Sequence, residues 1–241
     1  MENSQEVKQF DIWQIILYHL LPGVPVLIIA IVCANTSWGL GLPVFLSLMI
    51  AFALCLVPGQ WFIMKIAAHK EGKKLKDIIG FTEKMPTHKI IMWALPGIML
   101  AALIFTAGTE IEPSLWTIFA WVPDWFWVDR YMSDLGSLLI PTIFLNFAVR
   151  GFLVPFTEEI YFRGFLLPRM NKLGKFAPLA NAALFSIYHL FAPWENVTRM
   201  LAVLPFVYTV WYKRNIYIGV IAHCVVNTLS CVAMLMAITA I

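Results

Sequence analysis

Long apolar runs constrain this chain more than any other feature. A helix needs about 20 apolar residues to cross the hydrocarbon core of a bilayer. Windows of that kind fall near 12–34, 41–64, 89–109, 137–157, 177–193, 199–213 and 216–240, the fifth and sixth being the shortest. The runs are continuous and do not alternate with polar residues, which excludes a transmembrane β-barrel. The expected fold is all-α: a polytopic transmembrane helical bundle of about seven spans. Pro22, Pro25, Pro58, Pro96 and Pro205 fall inside these runs, where neighbouring helices can satisfy the freed carbonyls. Composition agrees, since 61% of the 241 residues are hydrophobic and 13% are charged. A soluble domain has about 45–50% and about 25%, so this chain could not cover a water-facing surface.

Orientation follows from where the cations lie. Segment 65–89 holds Lys65, Lys70, Lys73, Lys74, Lys76, Lys84 and Lys89, whereas segment 110–136 holds five acids and only Arg130. By the positive-inside rule the first is cytoplasmic and the second external. Arg169, Lys172, Lys175, Lys213 and Arg214 continue the alternation, which gives a cytoplasmic N-terminus and an external C-terminus. The first ten residues lack a basic n-region and a cleavage site, so the first run reads as a retained span. A short chain with no organelle signal leans to a prokaryotic cytoplasmic membrane. The formal net charge of +3 gives no support to a nucleic-acid partner. The aromatics of the external loop, Trp116, Phe119, Trp121, Trp125, Phe126, Trp127 and Tyr131, read as an interfacial belt. Cys33, Cys55, Cys224 and Cys231 lie in apolar runs without a CxxC pair and read as packing residues.

Ionisable groups in spans cost roughly 2.5–3.5 kcal/mol each at mid-bilayer, so they are functional candidates by default. The second half of the chain concentrates them. Glu158, Glu159 and Arg163 lie in PFTEEIYFRGF, His189 in LFSIYHLF, and His223 with Asn227 in VIAHCVVNTL. Positions four apart share a helix face, so Glu159 lies over Arg163 and forms an ion pair. Glu158 is turned about 100° away and has no intrahelical partner, which suits a general base. His223 and Asn227 share a face and can both donate hydrogen bonds, as an oxyanion hole requires. Gly219, one turn earlier, leaves room for another backbone or a ligand. His19 is the one such group in the first half and reads as snorkelling or as a helix–helix hydrogen bond.

Glu158-Glu159-x-x-x-Arg163, Phe185-x-x-x-His189 and His223-x-x-x-Asn227, intact and in order, resemble the signature of the CAAX-protease and bacteriocin-processing (CPBP, or Abi) membrane family. The resemblance is to its type II CAAX prenyl endopeptidases and covers about residues 137–240. It implies a catalytic core over 137–241, with 1–136 as accessory N-terminal spans and loops. It also implies hydrolysis of a peptide bond near the cytoplasmic face, in a peptide or protein substrate that in this family can be prenylated. Glu158 would activate the attacking water with help from His189, His223 and Asn227 would hold the oxyanion, and Glu159 with Arg163 would brace the site. No HExxH is present, and zinc would have to use Glu158, His189 and His223, leaving no separate base. The expectation is therefore a glutamate-type enzyme without a cofactor, with a zinc enzyme as the alternative mechanism. The alternative functions are a non-proteolytic immunity or scaffold protein and a proton-coupled carrier.

Overall fold

The computed structural model describes residues 7–35, 42–123 and 138–239. Regular structure among them is helical, with a single isolated bridge between Thr82 and Asn215. Helix α1 (Ile12–Leu20) begins at a reciprocal cap. The Asp11 carboxylate accepts from Gln14 N at 2.8 Å, and the Gln14 amide oxygen accepts from Asp11 N at 3.0 Å, satisfying two otherwise orphaned donors. The chain turns slightly at Leu21–Pro22 and continues as α2 (Gly23–Ala34). Helix α3 (Val44–Ala51) runs through a π-helical turn, Phe52–Leu56, into α4 (Val57–Lys70), and α5 covers Thr87–Trp116.

The fourth hydrophobic stretch, Leu139–Arg169, is one 31-residue rod with changing pitch. It consists of α6 (Leu139–Leu145), a π-helical segment Asn146–Leu153, α7 (Val154–Glu158), a second π-helical segment Glu159–Leu166 and a short 3-10 turn. Helices α8 (Ala177–Ile187), α9 (Asn196–Lys213) and α10 (Ile216–Thr239) complete the bundle. Two glycines let α5 lie close against α9. A Cβ on Gly97 would stand 2.9 Å from Phe206 Cβ, and one on Gly108 2.4 Å from Thr198 Cγ2, the small-residue contact that packs membrane helices.

Five helical stretches among the described residues are long and apolar enough to cross a membrane: Ile12–Cys33, Phe45–Lys70, Thr87–Ile111, Leu139–Arg169 and Ile216–Met236. The two shortest of the expected windows, near 177–193 and 199–213, are not among these five. Helix α8 has 11 residues, about 16 Å, half the thickness of the hydrocarbon core. It ends at Ile187, and the chain is irregular as far as Ala192, which precedes Pro193 and lies outside the helical region at φ −145° and ψ 62°. Helix α9 has 18 residues but carries Thr198 and Arg199 at one end and Lys213 at the other. The fourth helix, conversely, runs twelve residues past its expected end at 157. Past that point Glu159 pairs with Arg163 on the rod itself, Glu158 accepts from Tyr188, and Arg169 reaches Ile78 O and Glu71. Residues 124–137, which include Trp125, Phe126, Trp127 and Tyr131, lie outside the described residues; Trp121 is exposed.

One end of the bundle gathers the basic segments. Phe10 N donates to Arg169 O at 3.0 Å, Gly80 N to Gly164 O at 2.8 Å, Glu83 N to Arg214 O at 3.0 Å and Ile216 N to Phe81 O at 2.8 Å. Arg169 reaches Ile78 O at 2.9 Å and Glu71 Oε1 at 3.2 Å. The N-terminal strap, the 71–86 loop, the end of the fourth helix and the α9–α10 turn therefore share one level. Helices α8 and α9 leave from and return to that level as a hairpin, so replacing two crossings by this hairpin preserves the parity of the chain. Reporter fusions test the resulting orientation. Fusions at Lys74 and Lys175 are expected to report cytoplasmic, and fusions at Glu110 and at the C-terminus external. An external signal at Lys74 would invert the bundle.

Candidate active site

The two adjacent glutamates face different surroundings. Glu159 and Arg163 are fully buried, four residues apart, with Arg163 Nη1 at 3.0 Å from Glu159 Oε1. The Arg163 guanidinium lies 4.1 Å from the centroid of the Phe185 ring and 5.6 Å from that of Phe206, contacts that favour a desolvated cation. Gly219 is what makes space for the acid: a Cβ there would stand 2.3 Å from Glu159 Oε2. The room expected beside Gly219 for a backbone or ligand is thus filled by the Glu159 carboxylate.

Glu158 instead lines a cavity of about 330 Å³, together with Tyr188, His189, His223 and Asn227. Its Oε1 accepts a hydrogen bond from the Tyr188 hydroxyl. His189 Nε2 lies 4.0 Å from Glu158 Oε1, and His223 Nε2 lies 3.7 Å from Glu158 Oε2. Both are too long for direct hydrogen bonds, so these atoms remain directed at the cavity.

The opposite nitrogen of each ring is fixed. His189 Nδ1 donates to Phe185 O at 2.8 Å; a carbonyl can only accept, so the proton sits on Nδ1. His223 Nδ1 lies 2.9 Å from Glu159 Oε1 and donates to it. Asn227 Nδ2 donates to Arg150 O at 2.9 Å, which spends one of its two N–H groups. Next to it Thr228 Oγ1 reaches Gly151 O at 3.4 Å and Cys231 Sγ reaches Asn146 O at 3.8 Å. The carbonyls of the first π-helical segment thus meet a row of side chains on α10.

All six residues singled out from the sequence therefore fall in one locality: Glu158, His189, His223 and Asn227 around the cavity, Glu159 and Arg163 behind it. No three His, Cys, Asp or Glu side chains among the described residues are arranged to hold an ion, and Glu158 Oε1 is already engaged by Tyr188. His19, buried in α1, makes a helix–helix contact, its Nε2 at 3.0 Å from Asn181 Nδ2.

Sequence reasoning missed Tyr188, Arg150, Glu195 and Arg199, all of which line the cavity. Arg150 was legible as a charge inside the 137–157 window. Tyr188 carried no signal beyond a buried phenol needing a partner. Glu195 and Arg199 pair with each other across one helical turn.

The cavity has a direction. Its walls include Phe45 at the start of α3, Phe105 and Thr109 in the second half of α5, Arg199 at the start of α9 and Ser230 and Met234 in the second half of α10. Each belongs to the half of its helix remote from the lysine-bearing end. If that end is cytoplasmic, the cavity extends from Glu158 toward the external leaflet.

Residues 139–229 match the family model described as Type II CAAX prenyl endopeptidase Rce1-like. No curated protein and no solved structure matches the chain.

The packing makes a stability prediction. Gly219→Ala should displace Glu159, and Glu159→Gln should leave Arg163 buried without its counter-charge, a defect costing about 3–5 kcal/mol. Both are expected to lower the unfolding temperature of purified protein in detergent. Gly59→Ala, where a Cβ would meet nothing within 4 Å, should leave it unchanged or raise it. Equal stability of all three would remove the bracing role.

Proposed function

From the match of residues 139–229 to the Rce1-like type II CAAX prenyl endopeptidase model we propose that the chain is a glutamate-activated intramembrane endopeptidase. The observation that carries the reading is the shared cavity. One carboxylate, two imidazoles and a carboxamide from three separate helical elements line it, while the other carboxylate is neutralised behind it. In the proposed reaction a water in the cavity loses a proton to Glu158 and attacks the scissile carbonyl. His189, with its proton held on Nδ1 by Phe185 O, offers the Nε2 lone pair to orient that water.

His223 and the second N–H of Asn227 stabilise the oxyanion. In this role His223 is held at Nδ1 by Glu159 and presents Nε2, the nitrogen turned toward Glu158, to the cavity as the donor. Glu158 returns its proton to the leaving amine. Tyr188 holds the Glu158 carboxylate in register. The substrate is a peptide or protein segment within the membrane. The apolar walls formed by Phe45, Met49, Phe52 and Phe105 suit an apolar segment, and a prenylated terminus is one such substrate. No metal ion takes part.

Comparative peptidomics of cells carrying wild type or Glu158→Gln tests the activity. A peptide released only by wild type is expected, with Glu158→Gln folded at wild-type temperature. In a purified assay on that peptide, His223→Ala and Asn227→Ala should each lower turnover by about 10²–10³-fold, the usual loss for one oxyanion donor. Stoichiometric zinc, whose removal and return switch the activity off and on, would overturn the mechanism but not the peptidase reading.

A further inference from the structure

Helices α1 and α2 lie outside the matched residues 139–229, yet they meet the candidate site at two points. The first is His19 of α1. Its Nδ1 lies 2.7 Å from Ile15 O; a carbonyl can only accept, so Nδ1 donates and Nε2 is left as an acceptor. Asn181 Nδ2 donates to that Nε2 at 3.0 Å and to Phe162 O at 3.0 Å. Both N–H groups of the Asn181 carboxamide are thereby engaged, and they tie α8 to α1 on one side and to the second π-helical segment on the other.

The second point is Gly23, the first residue of α2. A Cβ there would overlap Tyr188 O and would stand 3.3 Å from Cδ2 of the Tyr188 ring. The Tyr188 carbonyl shares one peptide plane with the His189 N–H, and that N–H is bonded to Ser186 O at 3.2 Å, so the carbonyl cannot turn aside alone. The Tyr188 ring also meets Phe162 and Phe185, at 4.9 and 5.5 Å between centroids, and its hydroxyl reaches Glu158 Oε1. We infer that Gly23 is a positioning residue of the hydrolytic site. By carrying no side chain it lets α2 close against Tyr188 and seats the phenol on Glu158, while His19 holds α8 in place. The inference rests on the peptidase reading above and makes α1 and α2 part of the active-site assembly.

Two readouts test it, one of them independent of turnover. In the purified full chain, the infrared C–O stretch of Tyr188 reports the phenol's hydrogen bond. It is identified as the tyrosine band lost in Tyr188→Phe and displaced in Glu158→Gln. Gly23→Ala is expected to displace the same band, whereas Gly59→Ala, whose Cβ would meet nothing within 4 Å, should leave it in place. On the peptide released by wild type, Gly23→Ala and Tyr188→Phe should each lower kcat about ten- to a hundredfold, the range of one charge-assisted hydrogen bond, with KM little changed. Adding Gly23→Ala to Tyr188→Phe should lower kcat no further, because two changes that act through one contact are not additive. Losses that multiply, a wild-type kcat in Gly23→Ala or an undisplaced band would each overturn the inference. Should Gly23→Ala fail to fold, His19→Leu, which removes the acceptor for Asn181, is read by the same band and the same cycle, and the same outcomes decide. If wild type cleaves no peptide yet Gly23→Ala displaces the band, the peptidase reading fails and the seating of Tyr188 by α2 stands.

Discussion

The fully buried guanidinium of Arg163 is the constraint on which the rest of this site depends. An unpaired charge in that position would cost several kcal/mol, so Glu159 is held at 3.0 Å from it and the faces of Phe185 and Phe206 close over it. Glu159 then needs space, which Gly219 supplies. Its remaining reach fixes His223 Nδ1 at 2.9 Å, and that bond turns His223 Nε2 toward Glu158. The ion pair thus orients an imidazole on another helix and separates the two acids. One is neutralised in packing; the other faces a cavity.

The wide turns of the fourth helix extend the same logic to the backbone. A π-helical segment departs from the usual i to i−4 ladder, and such segments recur at functional sites. Here the first one turns the Arg150, Gly151 and Asn146 carbonyls toward Asn227, Thr228 and Cys231 of α10. The second presents Phe162 O to Asn181 of α8 at 3.0 Å and Gly164 O to Gly80 N at 2.8 Å. In a bilayer a backbone carbonyl needs a partner within the protein. These side chains therefore tie the rod to its neighbours at the levels where the candidate site residues lie.

Much of this was legible from spacing. Glu159 and Arg163 four apart, and His223 and Asn227 four apart, mark two helix faces, and ionisable groups stand out against apolar runs. What spacing could not give was distance between elements. Nothing local to Tyr188 says that its hydroxyl meets Glu158, and nothing local to Gly219 says that the space beside it belongs to Glu159. The limits of two spans differ for another reason. Hydropathy sums residue by residue, so it carried α8 on to 193 although the helix ends at Ile187, and it ended the fourth helix at 157 because charges follow. Burial and pairing of Glu158, Glu159, Arg163 and Arg169 outweigh their hydropathy, and only the tertiary fold supplies that pairing.

The end of α8 connects the fold to the chemistry. From Tyr188 to Glu195 the chain lies between two helices that begin and finish at the lysine-bearing end, so this irregular stretch sits deep in the bundle. Non-helical backbone at membrane depth is tolerated only when it is buried in protein or lines a cavity. Tyr188, His189, Phe191, Ala192, Trp194 and Glu195 all line the cavity. The same cavity that Glu158 lines therefore also accommodates a stretch of chain that lipid could not. The helix ends at Ile187, ahead of Pro193, while Tyr188 N still bonds Leu184 O at 3.0 Å. Tyr188 and His189 therefore leave the last helical turn together, and the irregular stretch after them carries Phe191, Ala192 and Trp194 along the same cavity.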